Sequence, residues 1–244
     1  MSEVVKGPRS TITLADVGQL IAIAAPVLYV MGRQYDVGYY SAIGCDWAVQ
    51  LITFPETLAH SILPIAAILS GLITGLYLMS ARVEFKVILR NFLLAMSATA
   101  ILYGLSVLFS GNPNLLSSLL VIGLLMMLHG LGLYIADTYF ALIYGDKNYR
   151  QFSIVHTIIS TIMAIGITHT LGSLSATNDM ENKDRRLAEL VEKNAYSTKN
   201  RVYLVSSLGG RFLIIDYLNG KKGNFKLVND LSNFNVKPVV KFDR

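Results

Sequence analysis

The chain has 244 residues, 53% of them hydrophobic and only 15% charged, with a formal net charge of +5; its mean hydropathy is +0.49. That balance excludes an ordinary soluble domain and points to long apolar stretches in a membrane. From Thr177 onward lie thirteen of the twenty-one Lys and Arg and eight of the sixteen Asp and Glu, so two regions with different solvents are expected.

A polar arm, residues 1–15, carries Lys6 and Arg9 and precedes a first span at 16–32, which no small-residue cleavage pattern follows, so it is read as retained. Residues 33–57, RQYDVGYYSAIGCDWAVQLITFPET, form an outer interfacial segment. Tyr35, Tyr39, Tyr40 and Trp47 suit an aromatic belt there, with WAVQLITF as an amphipathic surface helix. Further spans are expected at 58–81, 91–110 and 115–136, each with about the twenty apolar residues a hydrocarbon core requires. GNPN joins the last two as a helical hairpin. Lipid leaves backbone polar groups no solvent partner, so these spans are helices and residues 16–152 form a bundle.

Orientation follows from the Lys and Arg of the short loops. With the amino terminus in the cytoplasm, the inner segments hold Lys6, Arg9, Arg82, Lys86, Arg90, Lys147 and Arg150, against Arg33 alone outside. The chain is therefore expected in a bacterial inner membrane, amino terminus inside.

Residues 153–176, SIVHTIISTIMAIGITHTLGSLSA, contain no charge and admit three readings: spanning, re-entrant or interfacial. On a helix, Ser153, Thr157, Thr161, Ala164, Thr168 and Gly172 make one small, hydroxylated stripe, suited to close packing or to a wet path. The basic excess of the tail favours the readings that keep it cytoplasmic. Residues 177–200, with Leu187, Leu190 and Val191 on one face, are expected as an amphipathic stalk helix. Residues 201–244 alternate β-rich runs with GG, NGKKGN and NDLSN turns, giving three or four antiparallel strands, the last marked by Pro238 as an edge or a strand start. The expected fold is thus an all-α transmembrane bundle of four spans and a possible fifth, with a small α+β module that is mostly antiparallel β.

Chemistry is sparse. The single Cys45 excludes an intramolecular disulfide and a Cys-based zinc site; phosphate-loop, His-Glu-x-x-His and nucleophile-elbow patterns do not occur. Glu56 and His60 sit four apart and read as an interfacial hydrogen bond rather than a metal pair. His129 and Asp137, two turns apart on the fourth span, are the buried polar candidates; His156 and His169 are too far apart to share an ion. Gly71 and Gly75, like Thr157, Thr161 and Thr168, offer helix-packing surfaces. No catalytic residue, cofactor or metal is expected.

Over YDVGYYSAIGCDW, and above all GYYSAIG, the chain resembles small bacterial multi-pass proteins with a compact terminal domain, such as the membrane subunits of Kiwa antiphage defence systems. The resemblance implies a non-catalytic, oligomeric membrane sensor or anchor that works with a soluble partner, with nucleic acid met only indirectly. A homo-oligomeric sensor or scaffold is the first functional expectation, its C-terminal module recruiting a cytoplasmic effector through Arg185, Arg186, Arg211, Lys221 and Lys222, which anionic headgroups would equally attract. The alternative is a channel or permeabilising effector lined by Thr157, Thr161 and Thr168.

Overall fold

The computed structural model describes residues 14–109, 113–144, 147–182, 187–192, 200–218 and 221–237. Five helices, α1 (Leu14–Ile43), α2 (Phe54–Ser80), α3 (Phe85–Phe109), α4 (Pro113–Tyr144) and α5 (Lys147–Glu181), run up and down through the bundle. Five strands follow: β1 (Ala188–Glu192), β2 (Asn200–Leu208), β3 (Arg211–Leu218), β4 (Lys221–Val228) and β5 (Phe234–Lys237). Among the described residues, four stretches are long and apolar enough to cross a bilayer: Phe54–Ser80, Phe85–Phe109, Leu115–Tyr139 and Ile158–Glu181. The protein is a multi-pass helical membrane protein with a small antiparallel sheet.

Local chemistry explains the helix boundaries. Glu56 reaches back to the Thr53 N–H and hydroxyl, both at 2.8 Å, which starts α2 with a reciprocal cap. α2 ends where Arg82 adopts φ 63°, with Arg82 N–H bonding Met79 O and Val83 N–H bonding Leu78 O. That is the left-handed stop that normally selects glycine. Pro113 opens α4, where its missing N–H has no helical partner to lose.

Glycines set the helix contacts. A Cβ at Gly71 would overlap the His129 carbonyl, and one at Gly132 the Ile68 carbonyl, so α2 and α4 touch backbone to backbone. Gly75 meets Ala136 in the same seam, 2.6 Å from a virtual Cβ. Gly32 does the same for α1 against Thr57 of α2, and Gly38 and Gly172 for α1 against α5. α5 thus runs along α1, and residues 153–176 belong to one continuous helix. Its Ala164, Thr168 and Gly172 are buried.

The sheet has strand order β4-β3-β2-β1-β5, antiparallel at every paired edge. Gly209 and Gly210, both at positive φ, make the two-residue hairpin between β2 and β3. Residues 188–192, expected within a stalk helix, instead form the strand β1 between β2 and β5. Leu187 becomes part of a small core with Tyr203, Ile215 and Tyr217, Leu190 is buried within β1, and this strand pairing overrides the local helical spacing. β5 is an edge strand, while Pro238 lies outside the described residues.

Candidate functional site at the sheet-bearing end of the bundle

The sheet is not tethered at a distance. Leu208 and Leu213, with Val205, Phe225 and Leu227, pack into one core with Tyr39, Tyr40 and Ile43 of α1, Ala176 of α5, and Cys45, Ala48 and Val49. The last two lie in a 3-10 turn, Asp46–Leu51, that replaces the expected amphipathic surface helix. Six residues are too few to bury an amphipathic face in a headgroup layer; here they fill the corner between α1 and the sheet.

Polar contacts fix the docking. Tyr40 and Ser206 hydroxyls bond at 2.8 Å, the Gly209 N–H approaches Glu56 Oε2 at 3.3 Å, and Lys222 Nζ donates to the Ile43 carbonyl at 2.9 Å. Tyr39 donates to Asp179 of α5 at 3.0 Å, Ser173 donates to the Gly38 carbonyl, and Arg33 donates to the Val49 carbonyl. Burial pushes the Tyr40 phenol up to about 12, and burial followed by the Asp179 charge raises that of Tyr39. Burial likewise moves the Cys45 thiol up to about 11.

Just beneath lies a carboxylate that the sequence reading passed over. Asp36 is fully buried and accepts from Thr57 Oγ1 at 3.0 Å and from His60 Nδ1 at 2.5 Å. The His60 side chain is 41% exposed, so this pair connects the α1–α2 seam to the outside. The Tyr35 ring lies 5.5 Å from the imidazole. Glu56 and His60 therefore serve different partners, Gly209 and Asp36, rather than one ion. Among the described residues no group of three His, Cys, Asp or Glu could hold a metal.

The other residues singled out in the sequence fall as follows. Tyr39 and Tyr40 are buried beneath the sheet instead of standing in a lipid belt, and Tyr35 is half-buried; Trp47 is exposed. His129 bonds Ser70 of α2 at 2.8 Å and stacks near Phe92, while Asp137 is half-buried one helical stretch further on. Thr168 is fully buried and donates to the Ala164 carbonyl, and Thr161 is exposed beside a cavity lined by α1, α2, α4 and α5. Arg211 is exposed at the β2–β3 hairpin. The side chains of Thr157 and Lys221, and Arg185 and Arg186 altogether, lie outside the described residues.

No family model, curated protein or solved structure matches the chain.

Proposed function

We propose that the protein is a non-catalytic membrane sensor and scaffold in which the sheet receives a signal and the bundle carries it across the bilayer. The observation behind this reading is the continuous core joining β2, β3, α1 and α5. Packed cores shift between discrete arrangements and do not deform smoothly, so a change in the sheet reaches the Asp36 pair one or two helical turns away.

The loop charges support an orientation. Arg82, Lys86, Arg90, Lys147 and Arg150 belong to the end remote from the sheet, which the positive-inside rule assigns to the cytoplasm of a bacterial inner membrane. On that orientation, five crossings separate the amino terminus from the sheet, which departs from the expectation that both are cytoplasmic. The sheet faces outward, and the basic α2–α3 turn becomes the surface open to a soluble effector. The resemblance to defence-associated membrane proteins adds the setting, an oligomer reporting an event at the cell envelope. The channel alternative draws no support from Thr168, whose hydroxyl is spent on its own helix.

Hydrogen exchange on the full chain in detergent tests the coupling. Leu213→Ala removes a fully buried contact of the sheet core and should cost about 2–5 kcal/mol of local stability. Exchange should rise both in residues 200–228 and in the α1 and α2 turns around Asp36 and His60. Faster exchange confined to the sheet would refute the proposal.

A further inference from the structure

A cavity of about 320 Å³ lies between α2, α4 and α5 at the sheet-bearing end, with Tyr35 of α1 in its wall. Its polarity is graded by depth. Asn178, Ser175 and Ser118 sit three to six residues from the ends of α5 and α4 nearest the sheet, about 5–9 Å down at 1.5 Å per residue. Leu63, Ile122 and Leu171 sit nine or ten residues in, about 13–15 Å down. None of the lining side chains carries a charge. In the α2 turn that forms one wall, Pro64 has no N–H to give the His60 carbonyl, which leaves a backbone acceptor without its helical partner.

A wall that is hydroxyl- and amide-bearing near the interface and, apart from Tyr35, aliphatic below matches a molecule built the same way. We propose that this cavity binds an uncharged lipid, its hydroxyl- or ester-bearing head at Asn178, Ser175 and Ser118 and the first part of its chain against Leu63, Ile122 and Leu171. At about 30 Å³ for a water-sized group, the volume holds about ten such groups, a small head and the start of one chain. A phosphate head would need cationic partners that this wall does not supply. Ile122 is 48% exposed, so the cavity opens sideways toward the bilayer and a lipid can enter without crossing the sheet. Tyr35 ties the site to the sensing end, since the same ring lies against His60 and 6.4 Å from Tyr39.

The inference deepens the sensor reading by naming a ligand class, and its test is independent of the exchange experiment above. The full chain in detergent is illuminated with a photoactivatable diacylglycerol, and in parallel with a photoactivatable phosphatidylglycerol of equal chain length. Diacylglycerol should label peptides around 118–122 and 171–178, with unlabelled diacylglycerol competing. Ile122→Trp, which fills the cavity, should cut that labelling at least fivefold, whereas Leu108→Trp on the exposed face of α3 leaves it unchanged. Labelling spread evenly over the lipid-facing helices, or equal labelling by phosphatidylglycerol, would overturn the proposal. The competition arm needs no substitution, so a poorly folding Ile122→Trp leaves the test intact.

Discussion

At the scale of single residues, the bundle is defined by what is missing from its seams. Gly38 and Gly172 let α1 and α5 meet at the His169 and Tyr35 carbonyls, and each contact is to backbone, which has no rotamer with which to move aside. Gly38→Ala is therefore expected to part the two helices at a cost of about 1–3 kcal/mol, seen as a lower Tm in detergent. Gly104→Ala on α3, where nothing lies within 4 Å, serves as the control and should not lower it. Equal melting of both variants would remove the seam from the account. Gly71 and Gly75 were legible in the sequence because they stand one turn apart in an apolar run. Gly38 was not, because it sits in GYYS, where three neighbouring aromatics suggested an interface with lipid. Asp36 escaped for the same reason: a single carboxylate in a stretch read as exposed gives no hint that Thr57 and His60 will close over it.

Whole elements show where local pattern suffices and where it fails. α2, α3 and α4 follow directly from hydropathy, since lipid leaves a long apolar run few alternatives to a helix. β1 does not, because its partner β5 is distant in sequence and the spacing of Leu187, Leu190 and Val191 fits a helix equally well. The 3-10 turn is short because the sheet, not the bilayer, covers Ala48 and Val49. The contact between α1 and β2 also has a pH signature. Tyr40 is neutral on both sides of the equilibrium below about 10, but above it the exposed form ionises first. Docking stability is thus fully present below about 10 and is lost as the pH rises through about 12. Thermal melts between pH 9 and 12 should show this loss, and Tyr40→Phe should soften it while giving up the bond to Ser206. An unchanged alkaline profile in Tyr40→Phe would mean that the ring is not held at the interface as described.

For the molecule as a whole, the number of crossings decides which side the sheet meets. Loop charge carries the proposed orientation, and composition made the membrane class legible. The side of the sheet was not, because the uncharged, hydroxyl-rich 153–176 segment and the basic tail pulled in opposite directions. The packing of α5 along α1, through Gly38 and Gly172, makes the segment part of one continuous helix and supports the spanning reading. The consequence is directly measurable by cysteine labelling of intact spheroplasts after Cys45→Ala removes the sole native thiol. A membrane-impermeant maleimide should modify Lys226→Cys, on an exposed position of β4, without permeabilisation, and should reach Glu84→Cys, in the α2–α3 turn, only after it. Labelling of Glu84→Cys in intact spheroplasts, with Lys226→Cys protected until lysis, would contradict the outward-facing sheet and the direction of signalling built on it.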